Sequence, residues 1–274
     1  MRYVGADAIC GTGHMWNQGV IPTAGGGWLL SAQCDSKATK ATTVLIFTSS
    51  DGYDWTLLSS VPAEAPPGGP PCESPGENTL VELTGGKGLL LIARCGDGQQ
   101  LLGWSSTNGK AWQRHKLPSE MRGVMPVTVR MDDGAILLTT GRGGLAMWLN
   151  ADGEGNAWAL TNIGAEHNRL ILRNSKLNGS ALQYTDLFAN FNATRETTAY
   201  NTLRTLGPDN GIVCYDRLSS STAISGTFRS WDGPPGNLDT NDHMFCMRFR
   251  VSKPKPQQQE QELGLPRLGR FRLN

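Results

Sequence analysis

Ser49-Ser50-Asp51-Gly52-Tyr53-Asp54-Trp55 is echoed by Ser106-Thr107-Asn108-Gly109-Lys110-Ala111-Trp112 and again by Asn150-Ala151-Asp152-Gly153-Glu154-Gly155-Asn156-Ala157-Trp158. Each copy follows a short apolar run. Asp or Asn beside Gly takes the positive φ that a tight hairpin turn needs, and the Ser or Asn side chain can bond the turn backbone. The Trp that ends each copy then plugs the space between layers. A second repeat precedes each turn: Gly25-Gly26-Gly27-Trp28-Leu29-Leu30, Gly85-Gly86-Lys87-Gly88-Leu89-Leu90, Asp132-Asp133-Gly134-Ala135-Ile136-Leu137 and Pro208-Asp209-Asn210-Gly211-Ile212-Val213. All four read as a turn followed by a buried strand. Their intervals suit the ~40–50 residues of a four-stranded blade plus insertions.

Helix-period patterns are nearly absent, and β-branched and large apolar runs recur between Gly, Asn, Asp and Pro clusters, so the reading is all-β with hairpin-linked antiparallel strands. The expected fold is a β-propeller of four-stranded antiparallel blades, four to five of them evident, in one domain over residues 1–252. Residues 164–196 break the rhythm and read as a surface insertion that holds two glycosylation sequons in form, at Asn178 and Asn192. Ala63 to Pro71 reads as a connector between blades. From Lys253 on, Lys-Pro-Lys-Pro and a Gln-rich run read as a disordered low-complexity tail over residues 253–274.

Composition narrows the function classes. The 274 residues carry 25 Lys+Arg against 24 Asp+Glu, a net charge of +1, and no basic stripe interleaved with aromatics. Nucleic acid is therefore not an expected partner. The apolar runs fall short of the roughly 20 residues a membrane helix needs, so no transmembrane segment is expected. Met1 to Asp7 lacks the apolar core of a signal peptide, and compartment stays open. The six cysteines form no CxxC pair, which argues against a zinc cluster, and they read chiefly as buried free thiols, with one or two disulfides if the chain is secreted. No metal motif or nucleotide loop is present, and no cofactor is expected.

The Ser-x-Asp-Gly-x-x-Trp repeat resembles the Asp-box, or neuraminidase repeat, of the sialidase superfamily. Glu77-Asn78-Thr79-Leu80-Val81-Glu82-Leu83 through Leu89-Leu90-Leu91-Ile92-Ala93-Arg94 resembles the sialidase segment in which a Glu opens a blade's inner strand and an Arg closes the next. Ala135 to Arg142 resembles the family's third arginine. Thr198-Ala199-Tyr200-Asn201-Thr202-Leu203 resembles the strand with the nucleophilic Tyr.

The resemblance implies a six-bladed fold and an exo-α-sialidase-like hydrolase acting on a sialylated glycan or another acidic sugar. Arg94 and Arg142 would clamp the sugar's carboxylate by charge-assisted hydrogen bonds. Tyr200 would be the nucleophile and Glu77 would draw its phenolic proton, with Glu73 as a competing register for Glu77. Hairpin geometry independently returns Glu77 and Arg94 to the same end of a blade.

The resemblance also has gaps. In Gly19-Val20-Ile21-Pro22, Val20 stands where the family's first arginine would be, and Asp35 is the nearest proposal for the acid/base Asp. The chain reads as short of one or two N-terminal blades. The alternative is a non-catalytic Asp-box propeller that binds glycan or protein, and a third reading keeps the enzyme but substitutes a uronic acid.

Overall fold

The computed structural model describes residues 2–11, 16–23, 25–61, 72, 74–95, 100–141, 145–171, 182, 200–217, 243–252 and 270–273. They fall into two compact units.

The first unit holds β1 (Arg2–Val4), β2 (Trp16–Pro22), β3 (Trp28–Asp35), β4 (Thr42–Ser49) and β5 (Asp54–Ser60), in the spatial order β1-β5-β4-β3-β2. All neighbours pair antiparallel except β1, which runs parallel to β5. Next come β6 (Pro75–Glu82), β7 (Leu89–Cys95), β8 (Gln100–Ser106) and β9 (Gln113–His115), a four-stranded antiparallel sheet in sequence order. β10 (Val124–Arg130) lies beside β6 through the Thr79–Thr128 hydroxyl bond of 2.7 Å and the Thr128 N–H donating to Thr79 Oγ1 at 3.0 Å.

Alternation builds the core of this unit. Along β3, Leu30, Ala32 and Cys34 pack with Phe47 and Trp55, whereas Leu29 faces the other way and joins Ile46, Leu80, Leu91 and Trp104. Side chains two apart on a strand share a face, so one strand can serve two cores. Gly88 opens β7 at φ +103, and a Cβ there would sit 2.2 Å from Ser106 O, so only glycine fits where the two backbones meet.

The repeated motif forms the turns. The Ser49 hydroxyl accepts the Asp51 and Gly52 N–H groups at 3.3 and 2.9 Å, and Asp51 Oδ1 accepts those of Tyr53 and Asp54 at 2.8 and 2.9 Å. Gly52 takes φ +76, and the Trp55 indole, 1% exposed, donates back to Gly52 O at 3.1 Å. In the second copy Ser106 Oγ accepts the Gly109 N–H at 2.9 Å and Asn108 Oδ1 that of Lys110 at 2.9 Å. Residues of the third copy, Asp152–Asn156, belong to the first unit. There Thr84 N–H donates to Gly153 O at 2.9 Å, and Lys87 Nζ pairs with Glu154 Oε1 at 2.5 Å.

The second unit holds the antiparallel run β11 (Ile136–Gly141), β12 (Ala146–Asn150) and β13 (Ala159–Asn162), then α1 (Ile163–Ile171). Its four-stranded antiparallel sheet is β14 (Asn201–Gly207), β15 (Asn210–Arg217), β16 (His243–Ser252) and β17 (Arg270–Leu273). Gly211 stands opposite Phe249, where a Cβ would meet the ring at 2.1 Å, so the missing side chain makes room for the aromatic.

The expected all-β architecture, built mainly of four-stranded antiparallel sheets, is thus present. Several expectations change. The six cysteines are disulfide-bonded, as Cys10–Cys34, Cys72–Cys95 and Cys214–Cys246, and not free thiols. Residues 163–171, at the start of the expected surface insertion, form a helix that buries Ile163, Gly164, His167 and Ile171. Asn162 caps it by accepting the Ala165 N–H at 2.9 Å. Residues 270–273, expected in a disordered tail, form β17 along β16. Glu73, Arg142, Asn178, Asn192 and residues 63–71 lie outside the described residues. No helix among the described residues is long and apolar enough to cross a membrane.

Trp55→Ala removes a buried indole and its bond, and should lower unfolding stability by about 3–5 kcal/mol in a urea titration. The N–H groups of Asp54 and Tyr53 and the Ser49 hydroxyl hold the Asp51 carboxyl below its ordinary value of 3.8. Its contribution is present above that value and is lost as pH falls through the lower value of the folded state. Asp51→Asn should therefore remove part of the decline in Tm below about pH 4.

Candidate functional site

The first unit gathers ionisable side chains at the end where β3 stops and β6 starts. β6 and β7 pair Pro75 with Cys95 and then Asn78 with Ala93, and the shift between them is a bulge that contains Glu77. A bulge re-aims the side chain it carries. Glu77 Oε2 lies 3.4 Å from Arg94 Nη1, with side-chain exposures of 15% and 21%. The same oxygen accepts the Met125 N–H at 2.8 Å.

Met125 supplies that N–H from a left-handed backbone, φ +48, immediately before Pro126. Positive φ is uncommon for a residue with a side chain, and a residue before proline is further restricted. Strain of this kind concentrates where the surrounding structure holds a functional geometry.

Asp35 closes β3 at the same end. Its exposed carboxylate accepts the Thr42 hydroxyl at 3.3 Å, and the Thr42 N–H donates to the Ser74 hydroxyl at 3.0 Å, just ahead of β6. Gln33, two residues back on the same face, places its buried Oε1 3.6 Å from the position a Cβ on Gly76 would occupy, and among the described residues this oxygen has no hydrogen-bond donor.

The structure therefore brings Glu77 and Arg94 into contact and sets Asp35 at the same end of the unit. Tyr200 lies in the second unit, half-buried, its N–H donating to Asp216 Oδ1 at 2.9 Å. Sequence reading missed Met125 and Gln33. Met125 carries no sequence signal, since nothing in Val-Met-Pro announces a left-handed residue. Among the described residues no cluster of His, Cys, Asp and Glu could hold a metal ion.

The second unit carries one further polar pair. Buried His167 on α1 places Nδ1 2.6 Å from the Tyr215 hydroxyl, and Phe245 packs edge-on at 4.7 Å from the imidazole. Burial pushes the Tyr215 phenol well above its ordinary value. Enclosed by aromatic rings, the pair serves as a bonded core element that ties α1 to the sheet.

No protein-family model matches this chain, and no curated protein matches it. Among solved structures, it is similar to a protein of unknown function from Dyadobacter fermentans, at 15% identity and TM-score 0.51 over 85% of this chain and 52% of that one. It is also similar to the Penicillium chrysogenum α-L-arabinanase, at 16% identity and TM-score 0.44 over 76% and 54% of the two chains. A third is the Fusarium graminearum α-L-arabinofuranosidase, at 13% identity and TM-score 0.47 over 86% and 61%. The chain spans about half to three-fifths of the length of these structures.

The sialidase resemblance, its six-bladed form and its sialic acid substrate are corrected by these comparisons. The similar structures of stated activity include galactanases, an arabinanase and arabinofuranosidase structures. Two physical reasons account for the change. The Ser-x-Asp-Gly-x-x-Trp repeat acts here as a hairpin turn, held by its own side chains and bonded to neighbouring strands, so it reports on the fold and carries no substrate information. Arg94, expected to present its charge to a sugar carboxylate, has Glu77 beside it instead.

Arg94→Met should leave the Glu77 carboxylate half-buried without its cation and lower unfolding stability by about 1–3 kcal/mol. Adding Glu77→Gln to that variant should restore part of the loss, a coupling measured by a double-mutant cycle in urea.

Proposed function

We propose that this chain is carbohydrate-active and of glycosidase type, with its sugar site at the end of the first unit around Glu77, Arg94 and Asp35. The observation that carries this reading is the Glu77 carboxylate, set in a bulge, ion-paired to Arg94 and held by the N–H of a strained Met125. Glycoside hydrolysis generally uses two carboxyl groups around an oxocarbenium-like transition state. Glu77, fixed by its two donors, faces the positive charge that develops at the anomeric carbon or activates the attacking water. Asp35, exposed at the end of β3, is the proton donor to the leaving oxygen. Arg94 orients Glu77 through a charge-assisted bond, which restricts the carboxylate to one geometry. Tyr200 and Arg142 receive no role, because theirs came from the sialidase resemblance alone. Six paired cysteines fit an oxidising compartment, where extracellular polysaccharides are met.

One observation favours sugar binding without turnover. Glu77 is already met by a guanidinium and a backbone N–H, the pattern of a carboxylate that holds a surface in shape.

Purified protein should hydrolyse one or more of a panel of 4-nitrophenyl glycosides that includes the α-L-arabinofuranoside and the β-D-galactoside. Glu77→Gln should lower kcat by at least about 100-fold at unchanged fold, and Asp35→Asn should also lower it. No hydrolysis by folded protein, together with retention on a polysaccharide affinity gel, would leave the binding reading. Hydrolysis indifferent to both substitutions would overturn the assignment of the site.

A further inference from the structure

The three disulfides occupy unlike settings. Cys10 and Cys34 belong to one apolar core of the first unit; Cys72, fully buried, belongs to the other, and Cys95 packs against it. Cys214 and Cys246 face one another directly across β15 and β16, with Cα atoms 4.1 Å apart. Cys214 is half-buried and Cys246 exposed. β17 pairs with β16 only from Phe249 to Ser252, so it does not extend in register to Cys246. This bond therefore stands on the face of a sheet at a stretch where β16 has a strand on one side only among the described residues.

Its neighbours on that face are charged. The register places Thr202, Cys214 and Cys246 in one row, Arg204, Ile212 and Arg248 in the next, and Asp216 with Met244 in the row on the other side. Arg204 and Arg248 are exposed, as is Met244 at 78%, while Asp216 is half-buried and accepts the Tyr200 N–H. Arg250, further along β16, is held by Asp209 at 2.8 Å. Side chains at diagonal positions on a sheet lie within reach of one another, and a guanidinium near a sulfur favours its thiolate form. Arg204 and Arg248 thus favour both the approach of an attacking thiolate and the departure of the leaving one, with Asp216 the opposing charge.

We propose that the Cys214–Cys246 bond is a thiol–disulfide exchange site for a dithiol reductant, and that it opens while the other two disulfides stay closed. The reductant's thiolate attacks the exposed Cys246 sulfur, forming a mixed disulfide as the Cys214–Cys246 bond breaks and Cys214 leaves as a thiolate. The reductant's second thiolate then attacks its own sulfur in the mixed disulfide and releases Cys246. Two electrons pass to the protein, the reductant ends as an internal disulfide, and the two cysteine thiolates take protons. Seven further register pairs hold β15 to β16, so the sheet survives while residues 215–245 lose their covalent closure.

The test is graded dithiothreitol on the intact, folded chain, trapped with iodoacetamide and mapped by peptide mass spectrometry, with unreduced protein as control. Cys214 and Cys246 should become alkylated at reductant levels that leave Cys10, Cys34, Cys72 and Cys95 protected, with far-ultraviolet circular dichroism unchanged. Arg248→Ala should slow the reaction several-fold, and Arg248→Lys should restore most of the rate. Labelling of all six cysteines together, earlier labelling of either of the other pairs, labelling without reductant, or resistance of Cys214 and Cys246 up to denaturing conditions would each overturn the proposal.

Discussion

One serine hydroxyl and one carboxylate take four backbone N–H groups inside the turn from Ser49 to Asp54, and the geometry of the first sheet depends on it. A hairpin reverses the chain at the cost of backbone donors that the ladder no longer satisfies. Here the two side chains satisfy them, Gly52 supplies the positive φ, and Trp55 is delivered into the core with its indole bonded to the same turn. Because the turn fixes the register of β4 against β5, it fixes which residues of each strand point inward. The variant turn at Ser106 and Asn108 does the same for β8 and β9.

A packed framework of this kind lets a few residues depart from ideal geometry at its end. The bulge between Pro75 and Asn78 interrupts the β6–β7 ladder, and the left-handed Met125 breaks the backbone preference at the start of β10. Both irregularities meet at the Glu77 carboxylate. Three other pairings also carry a register shift, but here a bulge and a left-handed residue serve one side chain, and that coincidence is the physical argument for a site there. Thr79 and Thr128, joined by a 2.7 Å bond a short way along the same strands, keep β6 and β10 in the register that the Glu77–Met125 contact requires.

The sheets and the placing of Glu77 and Arg94 at one end of a hairpin were legible in the sequence because both rest on local chemistry. Asp or Asn with Gly writes a turn, alternation writes a strand, and similar distances from the Gly85–Gly88 turn return Glu77 and Arg94 to one end. What was not legible rests on partners far apart in the chain or on conformation. The disulfides join residues 24, 23 and 32 positions apart, and spacing alone does not give connectivity. The helix Ile163–Ile171 is short and half polar, so its periodicity is weak until Asn162 caps it and Ile163, His167 and Ile171 find a core. The sugar was read wrongly because the substrate rested on a resemblance of the strands that carry Glu77, Arg94, Arg142 and Tyr200, and strand-end charges recur in propellers that act on different sugars.

The central claim is that sugar recognition resides at Glu77 and Arg94. A glycan array probed with the fluorescently labelled chain and with its Glu77→Gln and Arg94→Met variants tests it most directly. The account predicts that the native chain retains a defined set of glycans and that both folded variants lose or change that set. Retention of no glycan by the native chain, or an identical set retained by all three proteins, would contradict it.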